Sequence, residues 1–276
     1  MYKNSEVLGD ESGKQYHLNL NANDISDNII LVGDPKRAEL ISNMFDKIKT
    51  KKSNRDYTTF TGNYKNLELT VMSTGMGPGS TEIAIIELCQ LKFPLTIIRC
   101  GTCGALQKDI SIGDLVISTG ALRLENTSSY FVEENYPAIA SHELLIALIK
   151  SSNINKINFH VGITATAPGF YGAQCRNIPG FPVKDTTLIE RLTKQNVMNL
   201  EMETSTLLTL SNLRGFRAGS ICAAIASRIE NKFVNKDQMI IIEKKLVKVC
   251  LDSFEIISKM DQKKCTNNTE YWIPDI

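Results

Sequence analysis

Residues 170–176 read FYGAQCR, so that Gln174 and Arg176 flank a cysteine just after an aromatic pair. In an extended segment, side chains two apart share one face, which would project an amide and a guanidinium together. The amide both donates and accepts hydrogen bonds, whereas the guanidinium only donates, in a planar fork. Such a pair suits a small planar ligand that carries one N–H between two carbonyl oxygens. The same seven residues also suit a plain surface loop. Three glycine-rich turns add an anionic theme. "VGDPKR" sets Gly33, Asp34 and Pro35 before a basic pair, so the backbone can approach an anion that Arg37 clamps. "STGMGPGS" enters a helix whose first amides suit a phosphate. "IIRCGTCGA" ends an apolar run on Arg99, followed by Gly101, Thr102 and Gly104. An arginine there requires an anionic partner, because burying it unpaired is costly. Together the turns point to a small-anion site. None matches a Walker loop or the dinucleotide fingerprint, which excludes nucleoside triphosphates and NAD.

"NLEMETSTL" (199–207) brings two carboxylates. If 199–203 is extended, Glu201 and Glu203 share a face, where vicinal sugar hydroxyls would be fitting donors. Alternatively, Glu203 simply opens the next helix, a favourable place for an acid. Cys100 and Cys103 form a CxxC, but no second CxxC and no nearby histidine completes a zinc set, so both are read as packing residues. His142 and His160 are read as structural. His17, in "YHLNL", is the histidine singled out as functional.

The elements that must position these residues alternate in type. Strands are expected at 28–34, 67–74, 95–101, 114–119, 158–166 and 217–227, several of them apolar on both faces as sheets between helix layers require. Helices are expected at 80–91, 142–151, 203–213 and 236–260. The alternation predicts a single α/β domain over 1–276, with 1–15 a peripheral extension and 262–276 an irregular peripheral tail. A formal charge of +1 offers no field for nucleic acid, and the absence of an eighteen-residue apolar run argues against a membrane span. The first residues lack the apolar core of a secretory signal, and seven irregularly spaced cysteines fit reduced thiols, so a cytoplasmic setting is expected.

With these residues assembled, the chain resembles the nucleoside phosphorylase family. The motifs "GDPKR", "NRDYTTF", "STGMGPGS", "RCGTCGALQ", "GITATAPGFYGAQCR", "NLEMETSTLL" and "ASRIE" occur in family order, from about residue 16 to the C-terminal helix. The Q-x-R after an aromatic pair is similar to the uracil-binding branch. The resemblance implies a three-layer α/β/α fold around a central mixed, mostly parallel sheet. It implies that Gly33, Arg37, Arg99 and Thr102 bind phosphate, and that Arg55 reaches the phosphate of a neighbouring subunit. His17 would reach that subunit's ribose 5′-hydroxyl. Glu201, Met202 and Glu203 match the ribose site, Glu203 holding the 2′ and 3′ hydroxyls. Phe170, Gln174 and Arg176 match the base pocket, Ile225 and Ala226 its apolar wall, and Arg228 an arginine that orders it. Arg99, Gln174 and Arg176 would carry the catalysis.

The implied reaction is reversible phosphorolysis of uridine to uracil and ribose 1-phosphate in pyrimidine salvage, with deoxyuridine and thymidine left open as substrates. No organic cofactor is needed, inorganic phosphate being a co-substrate. Asp56, Met76 and Ser80 match an intersubunit site for a monovalent cation such as potassium, with the acid shortened from glutamate. Residues serving a neighbour's site imply a homo-oligomer, at least a dimer, and bacterial-type relatives form hexamers as trimers of dimers. Other departures are Pro168 and Gly169 before the aromatic pair, Asn54 where relatives often have histidine, and the small Ala226. Two other readings compete. One is a purine nucleoside phosphorylase or a nucleosidase of the same fold. The other is a nucleoside-binding or storage protein. The absence of an aspartate in "ASRIE" weighs against purines, and the arginine set weighs against a water-using nucleosidase.

Overall fold

The computed structural model describes residues 5–274. In chain order the strands are β1 (Asn28–Val32), β2 (Lys47–Asn54), β3 (Tyr57–Tyr64), β4 (Leu67–Ser73), β5 (Thr96–Ala105), β6 (Leu115–Arg123), β7 (Ala138–Ile139), β8 (Phe159–Thr166), β9 (Asn199–Glu201), β10 (Arg217–Ser227) and β11 (Lys232–Phe233). The helices are α1 (Pro35–Ser42), α2 (Pro78–Leu91), α3 (His142–Ile154), α4 (Leu188–Lys194), α5 (Thr204–Arg214) and α6 (Lys236–Asn267). All eleven strands form one mixed sheet. Its pairings include parallel β4–β1–β5–β10 contacts and an antiparallel β2–β3–β4 edge. Part of the sheet closes on itself: β5 pairs β10, β10 pairs β6, β6 pairs β8, β8 pairs β9, and β9 returns to β5.

Helices cover both faces, as expected. Apolar residues of α1, α3 and α6 pack with one side of the sheet into the larger core. Residues of α2 and α5 pack against the other side. The strands that read as apolar on both faces, β5 and β10, run side by side through the centre, where sequence pattern and burial agree. Local chemistry sets the helix starts. Asp34 accepts the Lys36 amide (2.9 Å) and Pro35 fills the first turn of α1. Asn235 and Gln238 form a capping box at α6.

Some expectations need correction. The tail is not irregular from 262: α6 continues to Asn267, and Trp272 packs against the larger core with its amide donating to Glu143 (3.2 Å). The β2–β3 hairpin and α1 lie where no element was expected. β2 is an edge strand carrying five lysines or asparagines among its eight residues, KIKTKKSN, which blunts the edge and hides the strand signal.

Candidate active site

A cavity of about 680 Å³ opens at the C-terminal ends of β1, β4, β9 and β10 and along the last residues of β5. That is where open α/β sheets gather ligands. The cavity brings together Gly33, Arg37, Arg99, Thr102, Phe170, Gln174, Arg176, Glu201, Met202, Glu203, Ile225 and Ala226. Twelve residues predicted from five separate stretches thus line one cavity.

The floor is an ion network. Arg99 Nε donates to Glu201 Oε2 (2.8 Å), and Nη2 forms an ion pair with Glu203 Oε2 (2.5 Å). Nη1 has no protein acceptor among the described residues. Burial works against the charge of Arg99, but Glu203 and Glu201 beside it more than compensate and hold its pKa above the ordinary arginine value. Burial likewise pushes the Glu203 carboxyl up, with Arg99 pulling the other way. Glu201 is fixed further by the Thr166 hydroxyl (2.5 Å) and the amides of Glu203 (2.8 Å) and Thr204 (2.9 Å). Gly101 lets the guanidinium fold back into place, since a Cβ there would stand 2.8 Å from Arg99 Cζ and 2.9 Å from Cys222 Sγ.

Two expectations fail in detail. Glu201 and Glu203 do not share a strand face, because β9 ends at Glu201 and Glu203 is the N-cap residue of α5. They converge through Arg99 instead. The anionic partner inferred for Arg99 is therefore supplied first by the chain's own carboxylates. In the "STGMGPGS" turn the Gly77 amide, at φ 101°, donates to Glu203 Oε1 (2.6 Å), so this amide is committed to a carboxylate.

The FYGAQCR stretch is not extended either. Gly172–Gln174 forms a 3-10 turn and Cys175 adopts a left-handed conformation at φ 57°. Arg176 still reaches Gln174: its Nη1 donates to Gln174 Oε1 (2.7 Å) and to the Phe170 carbonyl (2.6 Å), and its guanidinium lies 3.8 Å from the Phe170 ring centre. Burial, then repulsion from Arg228, lowers Arg176 to about 10, which leaves it charged at neutral pH. Gln174 is 3% exposed, and its Nε2 donates to no protein acceptor among the described residues. Arg228 lies behind the loop, where Nη1 and Nη2 donate to the carbonyls of Gln174 (2.9 Å) and Cys175 (3.3 Å).

His17 and Arg55 do not line this cavity. They form a second cluster. Arg55 occupies the tight β2–β3 turn at φ 52° and lies 5.3 Å from the Tyr16 ring centre. His17 Nδ1 lies 2.6 Å from Glu87 Oε1, and Asn54 donates to the His17 carbonyl (2.7 Å). Asp56 and Met76 reach the cavity, whereas Ser80 does not line it. No group of three or more His, Cys, Asp or Glu among the described residues suits a metal ion. Cys100 and Cys103 are buried free thiols in separate core clusters, as packing residues would be. No helix among the described residues is long and apolar enough to cross a membrane.

Sequence reasoning missed Phe233 at the cavity mouth, and also Glu243, whose Oε1 accepts from Arg37 Nε (3.0 Å) and Nη2 (2.8 Å). Neither sits in a glycine turn or beside another polar motif. Only the chain's return through β11 and α6 brings them near.

Residues 27–251 match the phosphorylase superfamily. The chain is 39% identical over 268 residues to the uridine phosphorylase of Thermococcus kodakarensis, covering 96% of this chain and 94% of that protein. It is 34% identical over 209 residues to the guanosine phosphorylase of Halorubrum lacusprofundi, covering 76% and 82%. The fold superposes on the crystal structure of a Trypanosoma brucei nucleoside phosphorylase that shows uridine phosphorylase activity. The TM-score is 0.86 with 26% identity, over 92% of this chain and 100% of that one.

Proposed function

The chain belongs to the phosphorylase superfamily, and we infer that its cavity carries out the reversible phosphorolysis of uridine to uracil and ribose 1-phosphate, a pentosyl transfer. The observation that carries this reading is the Gln174–Arg176 pair, preformed on the wall of the same cavity whose floor is Arg99 with Glu201 and Glu203. Uracil presents an N3–H between two carbonyl oxygens. Gln174 offers a free Nε2 and the second lone pair of Oε1, and Arg176 offers its remaining N–H groups.

In this reading phosphate lies among Arg37, Arg99, Thr102 and the Gly33 backbone, and the sugar hydroxyls meet Glu203. A phosphate oxygen bonds to C1′ as the C1′–N1 bond breaks, and the electron pair leaves with the base. The charge spreads onto the uracil oxygens, where Gln174 and Arg176 stand ready as donors. No organic cofactor enters these steps. A monovalent cation near Asp56, Met76 and Ser80, a cytoplasmic setting and an assembly of at least two subunits belong to the same proposal. The assembly is supported by His17 and Arg55, which cluster away from their own chain's cavity.

The test is a panel of uridine, deoxyuridine, thymidine, inosine and guanosine, incubated with and without phosphate while free base is followed. Uracil release that requires phosphate is expected. Preferred cleavage of a purine nucleoside, or equal release without phosphate, would overturn the reading.

A further inference from the structure

Arg37 lies in the first turn of α1 and Arg99 within β5, yet carboxylates hold both on the Nε side of the fork. In Arg99 the Nε side of the fork is held by Glu201 and Glu203. In Arg37 both Nε and Nη2 donate to Glu243 Oε1, at 3.0 and 2.8 Å. Each arginine keeps Nη1 without a protein acceptor among the described residues. Asp34, three positions before Arg37, is committed to capping α1 through the Lys36 amide. Arg37 is only 7% exposed, and Glu243 is its one ion-pair partner among the described residues.

We propose that Glu243, carried on α6, is a positioning residue for phosphate, holding the Nε edge of Arg37 so that Nη1 is presented to the anion. This rests on the phosphorolysis reading. Two effects of the carboxylate oppose each other. Its negative charge repels an anion in the cavity, but its side chain is 20% exposed and water screens that repulsion. Hydrogen-bond strength, in contrast, falls steeply once donor angles stray. A freed arginine would also have to be re-ordered by the anion itself. Orientation therefore outweighs repulsion. The device also ties Arg37 to the segment that supplies Phe233 to the cavity lining, since Phe233 lies just before α6.

The experiment compares wild type, Glu243→Ala, Glu243→Gln, Arg37→Ala and the double variant Glu243→Ala/Arg37→Ala in steady-state phosphorolysis of uridine, with thermal melting as the fold control. The expected result for Glu243→Ala is a phosphate KM raised by roughly tenfold or more, the cost of re-ordering one arginine fork, with the uridine KM and saturating kcat little changed. Glu243→Gln, which keeps an acceptor in place, falls between. Adding Glu243→Ala to Arg37→Ala produces no further rise. Should Glu243→Ala fail to fold, the Gln variant and its double with Arg37→Ala carry the same comparison. An unchanged or lowered phosphate KM in a folded Glu243 variant overturns the proposal, as does a further rise in the Arg37→Ala background. Loss of the phosphorolysis reading would show separately, as wild-type uracil release that ignores phosphate.

Discussion

Replacing Arg176 by alanine tests the catalytic half of the site, and the structure allows its cost to be worked through. Arg176 Nη1 is engaged by Gln174 Oε1 and the Phe170 carbonyl, while the guanidinium lies over the Phe170 ring. With a pKa of about 10 it is a cation at neutral pH, so its free N–H groups are charged donors. Losing one such donor to a developing negative charge costs ~3 kcal/mol of barrier, or roughly 100-fold in kcat. A second loss adds to this. Gln174 is buried, and without Arg176 its amide loses the bond that fixes its orientation. The loop itself should survive, because Arg228 independently holds the carbonyls of Gln174 and Cys175.

The expected outcome is therefore a fall of at least ~100-fold in kcat for uridine, with the phosphate KM close to wild type. Arg176→Lys keeps the charge but not the planar fork, and should recover only part of the rate. The assay is uracil release at saturating phosphate, with the phosphate KM and thermal melting measured on the same preparations. A folded Arg176→Ala enzyme that keeps a near-normal kcat would refute the assignment and return FYGAQCR to the status of a surface loop.

Two further predictions concern assembly and stability. Mixing inactive Arg55→Ala with inactive Glu203→Ala protein should restore activity after subunit exchange, because Arg55 does not line its own cavity and Glu203 does; exchanged oligomers that stay inactive refute a shared site. Glu143 is buried and accepts from Lys264 (2.8 Å), Arg217 (2.8 Å) and the Trp272 amide (3.2 Å). Burial raises its carboxyl pKa, but these donors together outweigh burial and hold it below the usual carboxylate value. Glu143→Ala should cost ~3 kcal/mol of unfolding free energy at neutral pH. A depressed pKa contributes stability above the unfolded-state value that is lost as pH falls through the folded one. The gap from wild type should thus narrow in acid, and chemical denaturation that finds it constant across the acid range would refute the linkage.

The parts of this molecule that were legible in the sequence are those whose signal is local. β5 and β10 announce themselves as apolar runs because both faces are buried, and they carry Arg99, Ile225 and Ala226 into view. α3 and α5 were placed to within a few residues by apolar spacing, and α2 by the Ser80–Thr81 start signal, although it begins two residues earlier at Pro78. β2 was not, because an edge strand needs charge rather than apolar residues to stay unpaired on its outer side. β9 has only three residues, too few to show any period, although it ends on Glu201.

The candidate site follows the same division. Residue types were readable, but the pairings among them were not. Gln174 and Arg176 meet through a 3-10 turn and a left-handed Cys175, not through strand alternation, so the right pair followed from an incorrect backbone. The partners of Arg99 are 102 positions away at Glu201 and further still at Glu203, and Arg37 finds Glu243 after 206 positions. No period or short motif encodes contacts at such separations. They arise because β5 and β10 run in register through the sheet centre, with β9 laid against β5, and because α6 packs back over β10. A site assembled this way has to satisfy its own charges before any ligand arrives. Arg37, Arg99, Glu201, Glu203 and Glu243 therefore neutralise one another across elements, and the groups left over include Nη1 of each arginine and Nε2 of Gln174, which the proposed reading assigns to phosphate and uracil.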